Sequence, residues 1–175
     1  MAHHGLTGVL LVGGASRRFG SPKALAELEG ETLAERMWRT LGDACDERLA
    51  VGKRADGLAL PFALLDDATD VRAPIAGVVA GLRAARHDLC IFVPVDCPLI
   101  SAPSLQRLAA AAPAQPQTGP LPGAYTRAQL PELEAKLAHG DYSLRDVEAT
   151  VVELDERELA NVNTPADLAA LRRTS

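Results

Sequence analysis

Residues 6–25 read LTGVLLVGGASRRFGSPKAL, an apolar run that breaks into a glycine-rich, basic loop. Gly8 to Val12 is an apolar run of strand length with no alternation, the pattern of a strand buried on both faces. It ends in Gly13 and Gly14, then passes Ser16, Arg17, Arg18, Gly20 and Lys23 before apolar character returns. Paired glycines after a buried strand let backbone N–H groups approach an anion, because no Cβ stands in the way. Arg18 and Lys23 then complete a phosphate cradle, one as a planar fork and the other as a point charge. Spacing excludes two better-known glycine loops. Ser21 and Pro22 separate Gly20 from Lys23, which breaks the Walker A pattern, and GGASRRFG lacks the G-x-G-x-x-G fingerprint.

The chain has 175 residues, which predicts one domain over 1–175 with room for a sizeable core. Only 3% of residues are aromatic, so that core must be built from Ala, Leu and Val. A net charge of −5 argues against nucleic acid as a partner and makes the positive first loop a local feature. Cys45, Cys90 and Cys97 have neither disulfide nor zinc spacing, which suits free thiols in a reducing compartment. The opening MAHHGLTG has no signal-peptide pattern, and no run is long enough to span a membrane. A cytoplasmic location is therefore expected.

After the loop, Thr32 starts an amphipathic helix with Leu33, Met37 and Leu41 on one face, closed at Gly42. Leu49 to Val51 is a short strand ending at Gly52. Within Leu58 to Leu65 lies a second candidate strand, which stops at Asp66 and Asp67. Residues 74–86 form a helix with Pro74 in its first turn, and its small residues allow close packing on a sheet. Leu89 to Val95 is the most apolar run and predicts a central strand ending at Asp96. An Asp there lies where open α/β sheets bind ligands and could hold Mg²⁺ against phosphates. The competing role for Asp96, a helix N-cap, is weakened because Ser101 is better placed to cap a helix over 102–112. Residues 113–123 are rich in Pro and Gly and suit extended segments or edge strands. Helices are predicted over 127–138 and, from Asp141 through Val147, in a further short piece. Thr150 to Leu154 is a late strand, expected antiparallel at one side of the sheet. Thr164 caps a final helix with Pro165 in its first position, which leaves Asn161 and Asn163 available to a polar ligand. Strands alternating with helices through residue 112 predict a three-layer α/β/α domain with a mostly parallel, mixed sheet.

Leu11, Gly13, Gly14, Ser16, Arg18, Gly20 and Lys23 match L-x-G-G-x-S-x-R-x-G-x-x-K, the signature of sugar-nucleotide and cofactor nucleotidyltransferases. With DDATDVRAPIAGVVAGL, FVPVDCPLI, GPLPGAYTRAQLPELEAKLAHGDYSLRD and NVNTPADL, the chain resembles the molybdenum cofactor guanylyltransferases, in the MobA-like family. The resemblance implies a Rossmann-like nucleotidyltransferase fold and transfer of GMP from GTP to the terminal phosphate of molybdenum-molybdopterin, with release of pyrophosphate. It also implies Mg²⁺ as cofactor, action as a monomer, and transient contact with other molybdenum cofactor proteins. By the same resemblance Leu11, Val12, Gly13 and Gly14 touch GTP, and Arg18 and Lys23 hold its triphosphate. Asp67, or Asp66 with a one-residue shift, contacts the nucleoside; Asp96 holds Mg²⁺; Asn161 and Asn163 face the pterin. Relatives can carry an Asn after the second strand as a guanine contact, where this chain reads Ala50-Val51-Gly52-Lys53, so base selection either falls to backbone near Val51 and Gly52 or is looser than in those relatives. Two alternatives remain open: a related nucleotidyltransferase, such as a cytidylyltransferase for the same pterin, and a nucleotide-binding module without turnover.

Overall fold

The computed structural model describes residues 5–13 and 20–174. In chain order its strands are β1 (Leu6–Leu11), β2 (Glu27–Leu28), β3 (Glu31–Thr32), β4 (Glu47–Gly52), β5 (Leu65–Asp66), β6 (Leu89–Pro94), β7 (Ala114–Pro116), β8 (Gly123–Thr126) and β9 (Thr150–Val152). The helices are α1 (Leu33–Ala44), α2 (Pro74–Ala84), α3 (Ala102–Ala110), α4 (Leu130–Ala138) and α5 (Pro165–Thr174).

Seven strands form one sheet in the order β5-β4-β1-β6-β8-β7-β9, and β2 pairs with β3 as a separate hairpin. The two most apolar runs of the sequence are neighbours at its centre: β1 pairs with β6 in parallel, Val9 opposite Phe92. Period-2 geometry sends their side chains to alternate faces. Leu6, Leu10, Ile91 and Val93 pack under α1 and α3, through Met37, Leu41, Leu105 and Leu108. Val9, Leu11, Cys90 and Phe92 pack under α2 and α4, through Ile75, Val78, Leu82 and Leu133. Both faces are covered, so continuous apolar strands are the stable solution and the three-layer expectation holds.

Local chemistry sets the helix starts. The Thr32 hydroxyl accepts from Glu35 N–H while the Glu35 carboxylate accepts from Thr32 N–H, a reciprocal cap. Ser101 caps α3 by accepting from Ser104 N–H at 3.3 Å, and Asp167 N–H donates to Thr164 Oγ1 at 3.2 Å. Helix α2 approaches the sheet over its small residues. A Cβ at Gly81 would stand 2.6 Å from Phe92 Cε1 and 3.0 Å from Val9 Cγ1. Phe92 is fully buried and edge-on to Tyr125, so its ring cannot yield. Gly81→Val should therefore cost about 1–3 kcal/mol by overpacking. Chemical denaturation would show it as a lower midpoint with an unchanged slope.

Four expectations are corrected. Helix α1 runs past Gly42 to Ala44, since one glycine weakens a helix without ending it. The strand expected within 58–65 shortens to Leu65–Asp66. Leu58, Leu60, Phe62 and Leu64 pack against the core as a loop instead, with Phe62 stacked on Trp38 at 4.2 Å and Pro61 lacking an N–H for a ladder. Residues 141–147 are not helical. There Ser143 N–H donates to Asp141 and Arg145 N–H to Ser143 Oγ, local bonds that compete with a helix. Finally, the antiparallel strand is β8, paired with β6, whereas β9 runs parallel to β7 at the edge. The loop between β7 and β8 is too short for a crossover, so those two must be antiparallel, and α4 returns the chain to the far edge.

Candidate active site

The carboxyl ends of β1, β4, β5 and β6 open onto one cavity of about 230 Å³. Its walls include Leu11, Gly13, Gly52, Lys53, Asp67, Gly77, Pro94 and Asp96. Backbone bonds continue past the strand ends and hold the loops there: Val12 N–H to Val51 O, Asp67 N–H to Gly52 O, and Val95 N–H to Leu11 O. Gly52 is required by close approach, because a Cβ there would lie 2.8 Å from Val12 Cγ2. Of the expected phosphate loop, Gly13 lies on the cavity wall, while Gly14, Ser16 and Arg18 fall outside the described residues.

Three distant segments meet beside this cavity. Lys23 sits in a 3-10 turn (Lys23–Leu25), with its Nζ 3.7 Å from Asp96 Oδ2 and 3.3 Å from Asn163 Oδ1. The segment around Asn163 is docked by Val162, a buried residue whose N–H donates to Asp96 O at 2.8 Å. Asp167 in turn accepts from the N–H groups of Asn163 and Thr164, which orders the approach to α5. Asn161 is exposed and lies outside the cavity wall. Burial pushes the Asp96 carboxyl above its ordinary value, and the Lys23 charge pulls it partly back.

The two candidate carboxylates after β5 have different surroundings. Asp66 accepts from Arg54 N–H and Ala68 N–H, and these bonds hold its carboxyl below its ordinary value. Its work is to fix the turn in which Ala68 takes a left-handed conformation at φ 57. Asp67 lines the cavity, and its carboxylate is gripped by Lys53. A single Lys after a strand carries no sequence signal of burial, so Lys53 is legible only in the fold. The same holds for Arg72, which lines the main cavity and a neighbouring one of about 230 Å³ that Lys23 also lines, and which Asp56 holds at 2.9 Å.

The remaining chemistry-bearing residues lie elsewhere or are inert. His87 contacts Thr7 near the amino end of β1, and His139 is exposed at the end of α4. Burial pushes the thiols of Cys45, Cys90 and Cys97 up to about 12, so even Cys97, beside Asp96, is no nucleophile at neutral pH. Among the described residues no group of three or more His, Cys, Asp or Glu could hold a metal by itself. No helix among them is long and apolar enough to cross a membrane.

A family model described as the MobA-like NTP transferase domain matches residues 8–156. The chain belongs to this family. A molybdenum cofactor guanylyltransferase from Burkholderia ambifaria is 36% identical over 196 aligned positions, which cover 96% of each chain. A relative from Deinococcus radiodurans is 37% identical, over 95% of this chain and 93% of its own. The crystal structure of molybdopterin-guanine dinucleotide biosynthesis protein A from Archaeoglobus fulgidus shares the fold, with a TM-score of 0.80 at 23% identity over 96% of this chain and 97% of that one.

Proposed function

We propose that this MobA-like nucleotidyltransferase transfers GMP from GTP to the terminal phosphate of molybdenum-molybdopterin. The observation that carries the reading is the meeting of Lys23, Asp96 and Asn163 beside a cavity walled by Gly13 and Asp67. In the reaction a phosphate oxygen of the pterin attacks the α-phosphorus of GTP. A new P–O bond forms, the bond from the α-phosphorus to the bridging oxygen breaks, and pyrophosphate leaves. The attacking phosphate is already anionic, so no general base is required, which agrees with His87 and His139 lying away from the cavity.

Lys23 and Arg18 neutralise the triphosphate and let the two anions approach; Gly13 and Gly14, lacking Cβ, admit its phosphates, and Leu11 and Val12 bound the nucleotide. Asp67 contacts the nucleoside, with backbone at Gly52 beside the base. Asn163, and Asn161 two residues before it, face the acceptor. The residues fit Mg²⁺, because Asp96 is a partly exposed carboxylate whose 3.7 Å separation from Lys23 leaves lone pairs for a cation, and Mg²⁺ takes few protein carboxylates. When bound there, the ion supplies further charge neutralisation on the phosphates. Product analysis tests the proposal: GTP, Mg²⁺ and molybdenum-molybdopterin should yield the guanine dinucleotide and pyrophosphate.

A further inference from the structure

Lys53 is the one buried lysine among the described residues, 9% exposed at the carboxyl end of β4, and the proposed phosphate chemistry does not use it. Its Nζ donates to Asp67 Oδ1 at 2.7 Å, to Asp67 Oδ2 at 2.9 Å and to Thr69 O. An ammonium has three N–H donors, so these bonds engage all of them and leave none for a ligand. Both residues nevertheless lie on the cavity wall and not in the aliphatic core. The turn that carries Asp67 is fixed from both sides: Asp66 holds Ala68 N–H at 2.7 Å, and Asp67 Oδ1 also accepts from Thr69 N–H at 3.3 Å.

We propose that Lys53 is a positioning residue for the nucleoside, clamping Asp67 as an acceptor-only carboxylate so that the cavity selects ligands presenting adjacent N–H or O–H donors. The inference rests on the reading of Asp67 as the nucleoside contact. Asp67 Oδ2 keeps a lone pair beyond its Lys53 bond, and a ligand with two parallel donors gains Oδ1 by displacing the long Thr69 N–H bond at 3.3 Å. Guanine offers such a pair on its N1–H and N2–H₂ edge, and the ribose offers another in its 2′- and 3′-hydroxyls. Cytosine has no such edge of adjacent donors, so a clamped carboxylate at the base would favour guanine where Lys53 itself reads nothing. Fixing the acceptor before binding removes an ordering cost, which acts on affinity and not on the chemical step.

The test measures binding and turnover of the full chain with GTP, inosine triphosphate (one edge donor fewer) and 2′-deoxy-GTP (one hydroxyl fewer). Lys53→Met should weaken GTP about tenfold or more, leave kcat at saturating GTP within about threefold, and remove most of the wild-type penalty against one of the two analogues. Loss of the inosine penalty would assign the contact to the base, and loss of the deoxy penalty to the ribose. Because Lys53→Met leaves a buried carboxylate uncompensated, Lys53→Met/Asp67→Asn serves as the variant that folds. It should bind GTP within about twofold of Asp67→Asn alone, since the clamp acts only through that carboxylate. A double variant much weaker than Asp67→Asn would overturn the clamp. So would Lys53→Met that keeps wild-type GTP affinity while Asp67→Asn loses it, or that lowers melting with analogue discrimination intact. If neither Lys53→Met nor Asp67→Asn changes GTP affinity, the reading of Asp67 itself fails.

Discussion

Lys23→Ala is expected to lower turnover about a hundredfold or more and to weaken GTP, while the protein stays folded and melts cooperatively. The lysine sits in a 3-10 turn behind Pro22, and its charged end reaches Asp96 and Asn163 without entering the core. Removing it opens no core cavity, so its cost to stability is confined to the compensation it gives the Asp96 carboxylate. The chemistry loses more, because two polyanions must then approach with one fewer fixed cation at the reacting centre. Steady-state kinetics with GTP titration and a thermal melt on the same preparation check it. Unchanged GTP affinity and turnover would reduce Lys23 to a surface charge.

Asp96→Asn should have an equally large effect on turnover and leave the metal-free fold as stable as the wild type or more so. Turnover should fall about a hundredfold or more with GTP affinity changed far less, since charge neutralisation by a bound cation matters most in the transition state. Stability follows from the burial of the carboxyl. Its pKa in the folded state lies above the unfolded value, chiefly through desolvation, so the ionised form is less welcome in the fold than in the open chain. The stability linked to its protonation is fully present below the unfolded value and is lost as pH rises through the folded value. At neutral pH without metal, the Asn variant should therefore melt at or above the wild type. That advantage should vanish in acid, where the wild-type carboxyl is protonated too. Near-normal turnover at limiting Mg²⁺ would remove Asp96 from the site. A variant that melts well below wild type at neutral pH would contradict the burial argument.

The centre of the fold was legible because strands covered on both faces must be apolar without interruption. Gly8 to Val12 and Leu89 to Val95 carry that pattern and pair in the middle of the sheet. Helix starts at Thr32, Ser101 and Thr164 were legible because capping is local chemistry. The direction of β9 was not, since it depends on where α4 returns the chain. Nor was the 58–65 segment, whose alternating apolar residues pack as a loop against Trp38 and its neighbours. In the site, Lys23, Asp96 and Asn163 each stood out by motif, but only the fold brings them within 4 Å of one another's reach through Lys23. Lys53 and Arg72 carried no local signal. Their partners Asp67 and Asp56 lie 14 and 16 residues away, and burial or placement at a cavity is a property of the assembled sheet.

The measurement that bears most directly on the central claim is product stoichiometry with purified protein, Mg²⁺ and molybdenum-molybdopterin, run in parallel with GTP and CTP. One pyrophosphate should be released for each guanine dinucleotide formed, with dependence on the acceptor and turnover of GTP well above that of CTP. Equal or better use of CTP, or release of phosphate and GDP in place of pyrophosphate, would contradict it.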